Sequence, residues 1–424
     1  MARNILLTFV GATPYKKCVY CTEERTSRVV RFVQEALAEV LCSNWSEEDK
    51  MFVFLTEAAE TQNWEGKKYV QDEDTDGLAK KLADLNLACR VRAVRGLTDG
   101  FSESDIWTNF EKIFDCLKEG DKVWLDVTNA FRSIPIFTSV LLDYARFLKK
   151  VEIQAVYYGA FDTLGPSWNI EERIPNPANR RVPLLNLVNV VALQKWTNAA
   201  NDFLTHGNSE TLTKLSRSGG LTNLAETLER VTLAFSVSRG REITQGDIFQ
   251  DLREEADGAK DKIQEIPPLE HILNKVNSAF SDFSQDRVFN GITAAEWCLG
   301  HKLIQQGITI LRETIISIIC IEAGLNDGEY KYNRRLVEIA FNCYGRELDS
   351  WHTGAFTQKQ VHDVIDSPSL KALSSLYQEL SHQYRNDINH GGFLNWAKPA
   401  EEFEEILEKS ISEIKRILNI PQSH

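Results

Sequence analysis

The sequence predicts an α/β Rossmann-like N-terminal domain followed by an all-α C-terminal domain, and three observations carry that expectation. Through roughly the first 160 residues, short runs rich in β-branched and aromatic residues alternate with amphipathic stretches, the signature of a parallel sheet covered by helices. From about residue 183 the strand patterns give way to helical periodicity and polar connectors. The length, 424 residues, exceeds one ordinary core and suits two or three domains.

Strands are expected at 4–10, 51–56, 90–95, 122–127 and 151–158. Between them, 26–41, 77–87, 104–117 and 133–148 repeat apolar residues at intervals of three and four, as amphipathic helices do. Ligands of such open sheets collect at the carboxyl ends of the strands, where helix N-termini present free N–H groups. The loops there are Gly11-Ala12-Thr13, Thr56-Glu57, Arg95-Gly96 and Thr128-Asn129-Ala130-Phe131-Arg132-Ser133. Further along, 184–204 and 221–236 read as helices, and the charged stretch 251–265, ending in Ile266-Pro267-Pro268, reads as a linker or insertion. One long helix is expected over 292–323 and another over 370–389, with Gly391-Gly392 placed to stop it. The expected domains are 1–182, 183–290 and 291–424, the middle one a helical connector or insertion.

Composition narrows the function classes. Hydrophobic residues make up 43%, no apolar run approaches the roughly 18 to 20 residues of a membrane span, and no cleavage pattern marks a signal peptide, so a cytoplasmic protein without a membrane partner is expected. Eight cysteines are scattered, and only Cys18 and Cys21 are closely spaced. A zinc site needs a second pair or nearby histidines, and the first histidine is His206, so no metal is expected. A net charge of −13 excludes a chain that coats nucleic acid by bulk electrostatics, which leaves room only for a local site. Gly11-Ala12-Thr13-Pro14 stands where a dinucleotide-binding Gly-X-Gly-X-X-Gly would follow the first strand, which argues against a redox enzyme.

The sharpest local feature is Tyr384-Arg385-Asn386-Asp387-Ile388-Asn389-His390-Gly391-Gly392. It sets a cation, a titratable ring and amides at the end of a helix. RNA cleavage without a metal needs a group that moves protons at the 2′-oxygen and the leaving 5′-oxygen, and a cation on the phosphate; His390 and Arg385 suit these tasks, with Asn386 placed to orient the imidazole. On a regular helix Arg385 and His390 lie about 140° apart, so either the glycines unwind the last turn or a second subunit completes the site. The plainer alternative is a helix cap in which His390 meets the last carbonyls and Arg385 pairs with a surface carboxylate.

The string from Arg385 to His390 resembles the Arg-X4-His motif of HEPN ribonucleases, and the stretch through Ala294-Ala295-Glu296-Trp297-Cys298 to Leu311-Arg312-Glu313 is similar to a HEPN helix of the CRISPR-associated branch. Leu125-Asp126-Val127-Thr128-Asn129-Ala130-Phe131-Arg132-Ser133-Ile134-Pro135 resembles the strand-to-helix signature of CARF domains, although that family usually holds glycine at the Asn129-Ala130 position. Together they resemble the CARF–HEPN ancillary ribonucleases of type III CRISPR systems.

The resemblance implies a homodimer or higher homo-oligomer that senses a cyclic oligoadenylate and then cuts single-stranded RNA without a metal, leaving 2′,3′-cyclic phosphate ends. It makes Arg385, His390 and Asn386 the catalytic set and Gly11, Thr13, Thr56, Thr128, Asn129 and Arg132 the ligand cluster. No cofactor is implied beyond the allosteric activator, for which the four-membered ring is favoured. A CARF pocket that slowly degrades its own activator is compatible with this reading. The alternative is a non-catalytic, cyclic-nucleotide-sensing module that regulates or recruits a partner. For Asp126 a loop-capping role is expected, since an anionic ligand avoids a carboxylate.

Overall fold

The computed structural model describes residues 2–66, 76–129, 134–259, 263, 266–284 and 286–420. The chain forms two compact units, 1–192 and 193–424.

The first unit is built on a seven-stranded sheet: β1 (Asn4–Phe9), β2 (Val19–Cys21), β3 (Lys50–Thr56), β4 (Arg90–Leu97), β5 (Lys122–Asp126), β6 (Glu152–Gly159) and β7 (Arg181–Asn186), in the spatial order β2-β7-β6-β5-β1-β3-β4. All neighbouring pairs run parallel except β6 and β7. In β1 every residue from Ile5 to Phe9 is buried, as expected of a strand covered on both faces. Ile5, Leu7 and Phe9 join one apolar cluster with Leu141, Leu142 and Ala145 of the helix Ile134–Lys149, whereas Leu6 joins the opposite cluster with the helix Val33–Leu41. The side-chain period of two thus divides one strand between two cores.

The five expected strands are present; β2 and β7 were not expected. β2 has only three residues, and β7 carries Pro183, which removes a ladder donor and weakens a strand pattern. The boundary expected between 182 and 183 falls inside β7. The helix expected over 26–41 begins only at Val33, because Val30 exchanges two backbone bonds of 2.9 Å with Cys18 and holds that stretch extended. The helix expected over 77–87 spans Leu78–Ala83, and Asn86 follows in the left-handed region at φ 51°.

The second unit is helical and holds two apolar cores. One gathers Phe203, Phe235, Phe249, Phe280 and Phe283 with Trp196. The other is built around the helix Ile304–Glu322 and includes Leu311, Ile315, Phe341, Leu373 and Leu407. The charged stretch expected as a linker is packed structure up to residue 258: the helix Asp247–Gly258 buries Ile248, Phe249, Leu252 and Ala256 on one face.

The single helix expected over 292–323 is two, Arg287–Gly300 and Ile304–Glu322. Lys302 sits between them at φ 57°, and Leu303 N–H donates to Cys298 O (2.8 Å) while Lys302 N–H donates to Leu299 O (3.2 Å), which is a Schellman stop. A lysine occupies the left-handed position that glycine usually marks, so the break left no sequence signal. Ile304–Glu322 is also long and apolar enough to cross a membrane, contrary to the reading of the apolar runs. It is mostly buried here and carries the ion-paired Arg312 and Glu313, as a core helix can.

Candidate functional site

Two groups of expected site residues lie in different units. In the first unit β3 and β4 lie on one side of β1 and β5 lies on the other, so the loops after β1 and β5 flank a topological switch point. They are neighbours: a Cβ built on Gly11 would lie 3.7 Å from Asn129 Cβ and 4.0 Å from Thr13 Oγ1.

The loop after β1 is held by residues that sequence reasoning missed. Buried Asn63 donates from Nδ2 to Gly11 O (2.8 Å) and Thr13 O (2.9 Å), and the Tyr15 hydroxyl accepts the Gly11 N–H at 2.8 Å. Burial pushes the Tyr15 phenol up, which keeps it a neutral partner. Neither residue stands out locally, because each is defined by a contact made only once the sheet has formed.

The threonines divide by task. Thr56 Oγ1 accepts Ala59 N–H (3.2 Å) as the N-cap of a short turn, and Thr128 Oγ1 accepts Gly159 N–H (2.8 Å), so both hydroxyls already bond the protein's own backbone. Thr13 is exposed. Asn129 Nδ2 is buried and has no acceptor among the described residues. Arg132, with the rest of 130–133, lies outside the described residues. Asp126 is fully buried and accepts from Thr8 Oγ1 (2.6 Å) and Thr128 N–H (3.0 Å), the loop-capping role expected of it. Burial pushes its carboxyl above the ordinary range, against the pull of those hydrogen bonds.

In the second unit the Arg385 motif closes a continuous helical run: Pro368–Gln378, a π-helical segment Glu379–Arg385, and Asn386–Asn389. Leu380, Tyr384 and Asp387 face the interior, and Tyr384 packs edge-on against Phe403 with centroids 5.2 Å apart. Asp387 Oδ2 accepts Lys398 N–H (2.7 Å) and ties the following loop to the motif.

The glycines do not unwind the last turn. His390 N–H donates to Asn386 O (3.1 Å), Gly391 N–H to Ile388 O (3.1 Å) and Gly392 N–H to Asp387 O (3.3 Å), a regular Schellman cap with Gly391 at φ 61°. The backbone therefore keeps Arg385 and His390 about 140° apart. His390 is exposed, and Arg385 and Asn386 are half-buried. Arg385 has no surface carboxylate as partner: among the described residues none of the three side chains has a hydrogen bond or ion pair, and Arg385 Nε is buried without an acceptor. Among the described residues no three His, Cys, Asp or Glu side chains converge as metal ligands would.

Comparison with known proteins places this geometry in context. Residues 192–287 match the family model for the second domain of CRISPR-associated protein MJ1674. CRISPR-associated protein MJ1674 of Methanocaldococcus jannaschii is 26% identical over 257 residues, 57% of this chain; the match spans 36% of that relative's length. Among solved structures, Enterococcus italicus Csm6 bound to cyclic hexa-2'-fluoro-hexa-dAMP aligns with a TM-score of 0.48 at 13% identity, covering 98% of this chain and 94% of that one. The kinship with CRISPR-associated proteins expected from the sequence is borne out by the family model and the relative. The segment expected as a connector, 183–290, contains the matched domain.

Proposed function

We propose that this chain is a cyclic-oligoadenylate-activated, metal-independent endoribonuclease of CRISPR defence, sensing its activator in the first unit and cutting single-stranded RNA at the Arg385 motif. The observation that carries the reading is that Arg385, Asn386 and His390, at the end of one helix, have no partner among the described residues, while Arg385 Nε is buried unsatisfied. A buried donor left unpaired costs about 1 to 3 kcal/mol, which makes a phosphate oxygen a favourable partner for Arg385 Nε.

In the proposed reaction the RNA 2′-oxygen attacks the adjacent phosphorus and the bond from phosphorus to the 5′-oxygen breaks. A proton leaves the 2′-hydroxyl and one is delivered to the departing 5′-oxygen. His390 moves protons in this exchange, Arg385 holds the phosphate oxygens as charge builds, and Asn386 orients the imidazole. The products are a 2′,3′-cyclic phosphate and a 5′-hydroxyl. Because the capped helix keeps arginine and histidine apart, two copies of the chain complete each site. In the first unit the activator is bound where Gly11, Thr13 and Asn129 come together at the strand ends, and Asn129 Nδ2, which has no acceptor among the described residues, is the donor available to it.

The test is cleavage of a fluorescent single-stranded RNA in EDTA, with cyclic tri-, tetra- and hexa-adenylate added separately. Cutting with one ring, lost in His390→Ala, is the expected result. Tight binding of a ring with no cutting by any preparation would favour a recruitment module, for which the regular cap at His390 speaks.

A further inference from the structure

The ion cluster around Arg312 has no part in the chemistry above, yet its guanidinium is buried and donates to four side chains. Arg312, 8% exposed, lies on the core helix Ile304–Glu322. Its Nη2 donates to Glu338 Oε1 (2.7 Å) and the Tyr377 hydroxyl (2.8 Å), its Nη1 to Glu313, and its Nε to Ser381 Oγ (3.2 Å). Glu313 is shared with Arg334 at 2.7 Å and Glu338 with Arg335 at 2.9 Å. Tyr377 is itself fixed by a stack on Phe341, with centroids 4.0 Å apart.

Ser381 is the informative partner. It belongs to the π-helical segment Glu379–Arg385, four residues before Arg385 and hence about one turn away on the same side. A π-turn holds one more residue than an α-turn, so everything after it is rotated by about 100° relative to an uninterrupted α-helix. That rotation decides which side of the bundle the motif presents. With it, Tyr384 and Asp387 face inward and His390 faces solvent. Buried ion clusters can often be replaced by apolar residues without loss of stability. One that reaches from three elements to a single π-turn is better accounted for by what it places.

We infer that Arg312 is a positioning residue: through Ser381 it holds the π-turn open, and so sets the direction in which Arg385 and His390 leave the bundle. The inference rests on the reading of Arg385 as the phosphate-holding residue. Arg312→Lys fails as a substitute, because a single ammonium cannot serve four acceptors spread over a guanidinium's fork.

The experiment uses Ser381→Ala, which removes one hydroxyl and leaves the charges in place, with Ser381→Thr as the conservative rescue. Expected in the activated RNA assay is a roughly tenfold to hundredfold fall in kcat with little change in KM, restored by Ser381→Thr, while the melting temperature stays near wild type. Wild-type kcat in Ser381→Ala overturns the inference. So does a loss of activity that merely follows a loss of melting temperature. Selective 15N-arginine labelling supplies a readout independent of activity. The Arg385 Nε–H resonance, assigned by its loss in Arg385→Lys, shifts in Ser381→Ala and returns in Ser381→Thr; an unmoved resonance overturns the inference even where no RNA is cut. Absence of cutting by the wild type with every ring, with that resonance still responding, would overturn the ribonuclease reading alone.

Discussion

At the residue scale, the side chains proposed to touch RNA are distinct from those that hold the motif and the loop after β1 in place. Arg385 and His390 announce themselves through local spacing, and the structure leaves both without partners among the described residues. Asn63 acts on a loop about 50 residues distant, so nothing in its own neighbourhood marks it; Arg312 stood in the stretch similar to a HEPN helix, but its bond to a turn 69 residues distant could not be read there. Asp126 was legible as a loop cap, and its burial has a pH signature. Its folded-state carboxyl binds a proton more tightly than the unfolded one does. The stability it contributes is therefore complete below the ordinary carboxylate range and is lost as pH rises through the raised value. Melting temperatures from about pH 4 to about pH 7 should fall less steeply for Asp126→Asn than for wild type. Parallel curves would mean that Asp126 is ionised in the folded protein throughout.

At the element scale, the sequence marks helices by periodicity and loses them where a stop or a register change carries no glycine or proline. Gly391 ended its helix as expected, while Lys302 did the same work unseen. The π-segment Glu379–Arg385 is invisible to a pattern of threes and fours, which is why one regular helix was expected over 370–389. β7 was hidden by its proline, and its antiparallel course gives the sheet a mixed edge. The cap at Gly391 is a device whose strength can be measured. A Cβ at φ 61° disfavours the left-handed turn by about 1 to 2 kcal/mol. Gly391→Ala should thus speed hydrogen exchange of the Gly392 amide, bonded to Asp387 O, by roughly five- to thirtyfold. Exchange at the wild-type rate would show that the loop tie from Asp387 to Lys398, rather than the Schellman turn, holds the helix end.

At the scale of the whole molecule, the net charge of −13 and the capped motif point the same way. A chain this acidic gathers RNA only where cations are concentrated, and one copy presents Arg385 and His390 on different sides of one helix. A two-fold partner supplies the missing half, since each group then meets its complement from the other copy. This arrangement makes a quantitative prediction for mixtures. Arg385→Ala and His390→Ala are each inert alone. In a randomly reassorted equal mixture half of the dimers are mixed, and a mixed dimer whose sites pair an arginine from one copy with a histidine from the other carries one intact site of two. Activity should then recover to about one quarter of wild type. Sites built within one chain would have no intact copy in any dimer, and the mixture would stay as inert as its components.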